Sequence, residues 1–538
     1  MSKVCLKLSA VLLLVASVAH AWNVARVHKF GLDGHSMSAT GLFDLTGDGS
    51  AEFLVPGNAW LYCYDSGAAL RWSFRPASNY FPAISSALAA DLYDDGNLEV
   101  VVSTPLTVAV LGPDGTPVWQ RTLAGQGAVQ NCISSVALAD LNRDRRLEVL
   151  AYEVYANRLL CLDPGLGETL WTYTPDGNVY FSVGTPTVAD LDCDGRLDVL
   201  GQVSFTGGGG QLYCLDDTGA KLWSYNTTGS GISGWQLASA AVADVDGDDS
   251  LEVVSVANYW GVFCLDCRGD ELWTRRISEH TASYPAIADV DNDDTLDVVV
   301  AVGPNLRCFN ARTGRDKWSF AVASGYYVVS SPAVCDLDGD GLLEVIFAEV
   351  KQNNPNDSLR PMWVLDCRGR PLWSDTVGTT MSDPTAGDVD SDGRVEFCIG
   401  PTYRGYNWWL FRADTVAVEP GRIDWPTLQH DIWRTGWYGY EGPVVAVEEA
   451  HPLNGDRVRL TAQPNPFSSV TRLTLSNFRN RRPGIFDASG RLVRELTSGD
   501  DPVWDGRDLH GRSVPAGAYF VRLADMTGPV LRVVKLGK

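Results

Sequence analysis

A nine-residue pattern that opens with Asp and closes with Asp or Glu occurs eight times in this 538-residue chain. It reads DLTGDGSAE at 44–52, DLYDDGNLE at 91–99, DLNRDRRLE at 140–148, DLDCDGRLD at 190–198, DVDGDDSLE at 244–252, DVDNDDTLD at 289–297, DLDGDGLLE at 336–344 and DVDSDGRVE at 388–396. Successive copies start 47, 49, 50, 54, 45, 47 and 52 residues apart. A period near 50 filled with short apolar runs is the signature of a β-propeller.

The filler supports that architecture. A short strand-like run precedes each copy, such as TPTVAD at 185–190 or YPAIAD at 284–289, and an apolar run such as LEVVVS at 98–103 follows it. Then comes a segment that ends in an Asp turn and a Trp strand, as in LYCLDDTGAKLWSY at 212–225. Short β-rich runs punctuated by Gly and Asp predict four antiparallel strands per repeat, so each repeat is one blade of an all-β fold. Seven Trp strands follow in register, at Trp72, Trp119, Trp171, Trp223, Trp273, Trp318 and Trp373, whereas the eighth repeat runs into Asn407-Trp408-Trp409-Leu410 with no clear successor. The missing outer strand can come from WNVARVHKF at 22–30, which would close the ring and remove an exposed edge. The expectation is therefore eight blades, with seven as the alternative.

The loop spacing carries chemistry. Acids at positions 1, 3 and 5, a tight turn at 6 and an acid at 9 bring hard oxygens around one point, which suits Ca²⁺ and its tolerance of irregular oxygen coordination better than Mg²⁺. Five copies hold the full set: Asp190, Asp192, Asp194 and Asp198; Asp244, Asp246, Asp248 and Glu252; Asp289, Asp291, Asp293 and Asp297; Asp336, Asp338, Asp340 and Glu344; Asp388, Asp390, Asp392 and Glu396. Two copies lack the third acid, with Thr46 leaving Asp44, Asp48 and Glu52, and Tyr93 leaving Asp91, Asp95 and Glu99. The copy at 140 has Asn142 and three arginines, Arg143, Arg145 and Arg146, and is expected to be empty. The sequence thus predicts five to seven calcium ions. The same residues also serve ordinary solvated Asx turns.

The charge of the chain reflects these loops. They contain 32 of the 66 Asp and Glu residues against five Arg, and the formal net charge of the whole is −23. Nucleic acid is excluded as a natural partner. At the N-terminus, Lys3 and Lys7, the apolar Leu8–Val18 and Ala19-His20-Ala21 form the pattern of a secretory signal over 1–21. An exported chain without a transmembrane span follows as an expectation.

The Asp loops resemble the FG-GAP or VCBS repeats of integrin-type propellers, and the LYxLD-x-TG-x-x-LW pattern resembles the quinoprotein-type, PQQ-like repeat. Together these resemblances cover 22–413, and the propeller domain is taken as 22–424. They imply calcium loops and a Trp-docked outer strand, and leave activity open, because such propellers serve adhesins, scaffolds and enzymes. PQQ-dependent dehydrogenases carry adjacent cysteines at the cofactor, and this chain has no Cys-Cys pair. It also has no HExxH, GxSxG or Walker loop. Gly229, Gly231 and Gly234 match GxGxxG between strands, where the dinucleotide reading fails its context. Cys63, Cys161, Cys214, Cys264 and Cys308 recur at equivalent places and read as core residues, while Cys267 and Cys367, each in an LDCRG turn, read as more exposed. Trp235, Tyr259, Trp260, Tyr326, Tyr327, Tyr403 and Tyr406 lie outside the Trp register and are candidate ligand contacts. So are the long insertions at 201–211 and 350–361.

After a tail and linker at 425–457 the chain changes character. Residues 458–538 alternate short strands with turn signals, predicting a small β-sandwich. Asn465-Pro466-Phe467, Asp487-Ala488-Ser489-Gly490-Arg491, Trp504-Asp505-Gly506 with Gly511, Gly517-Ala518-Tyr519-Phe520 and Val534-Lys535-Leu536 resemble the flagellar hook-cap-type Ig-like domain and the C-terminal sorting domain of the type IX secretion system. That resemblance implies the secretion machinery as a partner and a secreted or outer-surface location in a Gram-negative-type bacterium. The resulting expectation is a calcium-binding module for an extracellular glycan or protein ligand. The alternative is a carbohydrate-active enzyme such as a polysaccharide lyase.

Overall fold

The computed structural model describes residues 24–31, 38–57, 59–76, 84–124, 135–177, 179–181, 184–205, 209–227, 239–248, 250–277, 279, 283–322, 326–328, 330–351, 361–376, 382–392, 394–400 and 407–413 of the repeat region. Toward the C-terminus it describes 459–463, 471–476, 483–487, 492–495, 503–504, 506–507, 512–514, 517–523 and 531–535. Two compact units divide at Val444 and Val445. The candidate signal, the tail at 425–440 and the GxGxxG stretch lie outside the described residues.

The first unit is an eight-bladed propeller, and the seven-blade alternative falls away. Blade 1 is an antiparallel sheet of Gly41–Phe43, Glu52–Pro56, Leu61–Tyr64 and Leu70–Phe74, from the innermost strand outward. Blades 2 to 8 start at Leu88–Ala90, Ala137–Ala139, Thr187–Ala189, Ala241–Ala243, Ala286–Ala288, Ala333–Cys335 and Thr385–Gly387. The second strands are apolar on both faces, as in EVVVST at Glu99–Thr104, because neighbouring blades cover both sides. The outermost strands alternate, with only one side facing a neighbour, as in PVWQRT at Pro117–Thr122. The single turn of 3₁₀ helix at Val154–Ala156 is the only helical segment among the described residues.

The N-terminal strand closes the ring. Val24–Gly31 pairs antiparallel with Asn407–Ala413 and is the fourth strand of blade 8, as its sequence led one to expect. Phe30 on this strand is buried and meets Phe53 and Tyr64 of blade 1 at ring distances of 4.8 and 5.1 Å. The Thr385 hydroxyl donates to the Thr40 carbonyl at 2.9 Å along the inner strands.

Blade-to-blade contact repeats one device. The indole Nε1 of Trp72, Trp119, Trp171, Trp223, Trp273 and Trp318 donates to Pro113, Pro164, Asp217, Cys267, Ala311 and Cys367, a carbonyl in the outer turn of the next blade. A glycine of that turn, Gly115 through Gly369, lies directly under the ring. Trp373 faces a blade 8 without such a turn and packs edge-on against Phe397 and Phe411 instead.

Two details differ from the sequence reading. Most of the 201–211 stretch is hairpin rather than loop, since Gly201 to Ser204 pair with Tyr213 to Gly210. Cys367 is buried, unlike the half-buried Cys267. Residues 352–360 lie outside the described set.

The second unit, taken by itself, holds two antiparallel sheets. One contains Arg459–Gln463, Thr471–Ser476 and Val503–Trp504, and the other Leu492–Glu495, Pro483–Asp487, Gly517–Leu523 and Leu531–Lys535. Trp504 of the first sheet meets Tyr519 of the second edge-on at 5.0 Å.

Candidate functional site

Each Asp loop joins the first strand of a blade to the second, so all eight lie on the same face as the outer turns. The local fold follows from the acids themselves. The position-1 side chain accepts the backbone N–H groups of the turn, as Asp91 does from Asp95 and Gly96 at 3.0 and 2.7 Å. The position-5 side chain accepts the N–H of position 7, as Asp340 does from Leu342 at 2.8 Å. Left-handed backbone at position 6 explains the preference for Gly there, with φ of +82° at Gly195 and +87° at Gly341; Asp294 adopts +65° in blade 6.

The position-9 acid is buried in every blade. In seven of them it accepts the N–H of position 2: Glu52 from Leu45, Glu99 from Leu92, Glu148 from Leu141, Asp198 from Leu191, Glu252 from Val245, Glu344 from Leu337 and Glu396 from Val389, at 2.8 to 3.0 Å. Loops also contact one another. The N–H of Leu343 donates to Val290 and that of Ala51 to Val389, at 3.1 and 2.8 Å, the second bond joining blade 8 to blade 1.

Carboxylate oxygens converge within 4.8 Å in five loops among the described residues. The groups are Asp190, Asp192 and Asp194; Asp244, Asp246 and Asp248; Asp289, Asp291 and Asp293; Asp336, Asp338 and Glu344; and Asp388, Asp390 and Glu396. These are the five copies with the full acidic set. The position-9 acid joins the group only in blades 7 and 8, so the nine-residue spacing alone overstates how many oxygens meet at one point. The loops at 44, 91 and 140 form no such group among the described residues.

Burial loads these acids with electrostatic cost. It pushes Glu99, Glu148, Asp198 and Glu252 up to about 7. Glu344 goes to about 9, through burial first and then Asp338. Buried oxygens also lack donors: Asp190 Oδ1, Asp246 Oδ1 and Asp297 Oδ1 have no hydrogen-bond partner. A divalent cation with a preference for oxygen fits such a donor set. An open cavity of about 310 Å³ beside the blade 7 loop is lined by Asp338, Asp340 and Glu344 and by the Asp366–Arg370 turn.

Three loops have basic partners that the sequence reading did not identify. Lys317 Nζ donates to Asp291, Asp297 and Asp293 at 2.7, 2.9 and 3.2 Å. Arg412 pairs with Asp390 and Glu396. Arg71 pairs with Glu52 at 2.7 Å. A signal was present for two of them, since Arg71 and Lys317 directly precede the docking Trp, where the other repeats carry Val118, Leu170, Leu222, Leu272 and Leu372.

The opposite face holds the loops between second and third strands. Trp60 is 38% exposed with Arg75 over its ring at 5.8 Å, and Arg276 covers Trp260 at 3.1 Å. Tyr259 lies beside Trp260 with φ of +57°. Side chains of Tyr326 and Tyr327, and Trp235, Tyr403 and Tyr406 altogether, lie outside the described residues.

Comparison with known proteins places this geometry. The family model described as outer membrane protein assembly factor BamB matches residues 107–327 and 209–381, together just over half of the chain. No curated protein matches it in sequence. BamB from Moraxella catarrhalis superposes with a TM-score of 0.50 at 13% identity, over 72% of this chain and 100% of that one. The exotype rhamnogalacturonan lyase YesX superposes with a TM-score of 0.50 at 14% identity, over 77% and 79%. At these identities the likeness is one of fold.

Proposed function

Since this chain belongs to the PQQ-like repeat family described as outer membrane protein assembly factor BamB, we propose that it is an exported, calcium-clamped propeller that acts as a binding module for an extracellular glycan or protein. The observation that carries the calcium half is the convergence of carboxylate oxygens in five loops, with Asp190 Oδ1 and Asp246 Oδ1 buried and unpartnered. Calcium would neutralise acids that repel one another and, where the strand acid joins the group as Glu344 does in blade 7, tie the loop to the strand that follows it. The ring then holds the opposite face rigid.

That opposite face is where ligand is proposed to bind. Trp60 is exposed and offers a flat apolar face near Arg75, while the half-buried Trp260 carries the exposed Arg276 stacked over its ring, so that a sugar ring can stack on the first and its acidic substituents can pair with the guanidinium of the second. Export is proposed from the signal pattern at 1–21, with the C-terminal module as an Ig-like sorting domain read by the type IX machinery. Among the described residues no helix is long and apolar enough to cross a membrane.

The lyase reading draws on the YesX-like fold alone. One experiment separates the two. The full chain, in calcium, is run through gels containing acidic plant or bacterial polysaccharides, and the same mixtures are assayed for new unsaturated ends. Retardation that Trp60→Ala or Arg276→Ala weakens supports binding. Unsaturated products released at a catalytic rate would replace the binding reading by the enzymatic one.

A further inference from the structure

The carboxylate loops of blades 6 and 8 already contain a cation supplied by the chain. In blade 6 the Lys317 ammonium donates to three acids, Asp291, Asp293 and Asp297, and its side chain is only 20% exposed. Asp297 is fully buried and accepts the ammonium on its Oδ2 at 2.9 Å, while its Oδ1 has no hydrogen-bond partner. In blade 8 Arg412 stands directly opposite Glu396 in strand register and pairs with both Glu396 and Asp390. The two cations reach equivalent acids from different strands, Lys317 from the outermost and Arg412 from the third.

The residue before the docking Trp decides whether such a cation is available in blade 6. Lys317 precedes Trp318, whereas Leu222 and Leu372 hold the same place in blades 4 and 7. Leu372 lines the open cavity beside Asp338 and Glu344. A leucine cannot neutralise the loop, and a lysine there brings its charge to the point where the acids converge.

We propose that Lys317 and Arg412 are tethered cations that take the place of a divalent metal in blades 6 and 8, leaving these two loops metal-independent. The inference rests on the calcium reading given above. It also lowers the number of ions to expect, since two of the five full-set loops already hold a cation of the chain. The chain thereby divides its loops between those that depend on the medium for charge and those that do not.

The test is calcium stoichiometry, measured on the full chain by equilibrium dialysis for the native protein, Lys317→Leu and Arg412→Leu, with Leu372→Lys as the reverse change. The expected result is one additional ion per chain in each of the first two variants and one fewer in Leu372→Lys. Lys317→Leu should also unfold at lower temperature than the native chain in chelator and recover when calcium is added, which keeps the test valid if the metal-free variant is poorly folded. Equal, non-zero stoichiometry in the native chain and the variants would overturn the tethered cations and leave the calcium reading standing. Calcium bound by Lys317→Leu but not by the native chain would support the tethered cation and refute native calcium. No binding by any of them would refute both.

Discussion

The indole of Trp223 lies across Gly269 of the next blade, and its Nε1 donates to the Cys267 carbonyl at 2.9 Å. A Cβ on Gly269 would fall 2.6 Å from the ring, and its φ of +83° is left-handed. The glycine is therefore needed twice, for backbone conformation and for space.

Gly269→Ala should lower stability by roughly 2 kcal/mol or more, from left-handed strain plus the ring clash. Gly47 isolates the first component, because it has φ of +69° and nothing within 4 Å of its would-be Cβ. Gly47→Ala should cost about 1 kcal/mol. Chemical denaturation of both variants checks the difference, and equal losses would show that the Trp contact is slack.

Closure by the N-terminal strand predicts a second outcome. Phe30→Ala removes a buried ring wedged against Phe53 and Tyr64 and should cost about 3 kcal/mol. A chain starting at residue 32 would leave Asn407–Ala413 as an open edge and should self-associate, as read by light scattering.

The buried acids make metal-free stability depend on pH. Glu344 titrates at about 9 in the folded chain against an ordinary value of 4.5, raised by burial and by Asp338. Between those values the folded state holds a proton that the unfolded chain has lost, so stability falls as pH rises and the loss is complete above the folded value. Glu99, Glu148, Asp198 and Glu252 act likewise up to about 7. Denaturation in chelator should therefore show declining stability from about pH 5 to 9, and Glu344→Gln should flatten the part above 7. Saturating calcium should remove the slope at Glu344 by holding it ionised. A metal-free profile that rises across this range would contradict the account.

The repeat made most of this fold legible. Eight loops at near-equal spacing pointed to eight blades with seven left as the alternative, and the lack of an eighth Trp strand pointed to 22–30 as the closing one, which the structure bounds as Val24–Gly31, because a missing edge must be filled. Full-set loops were also recognisable, since the five copies with acids at all four positions are the five in which three carboxylates converge. Arg412 was not, and Lys317 only as an odd residue before the docking Trp, because their role depends on the reach of a side chain from another strand, 16 and 20 residues away from the acids Glu396 and Asp297. The Gly207–Gly210 run read as a loop because glycine lowers strand propensity, yet pairing continues to Ser204 and Gly210.

The most direct test of the calcium clamp is the thermal unfolding of the full chain in saturating calcium and again in excess chelator, for the native protein and for Asp338→Ala/Asp340→Ala. The account predicts a midpoint higher by several degrees with calcium, and a smaller shift in the variant, which has lost the blade 7 site. Identical midpoints with and without calcium would contradict it, and the Asp loops would then be solvated turns on a propeller that closes without metal.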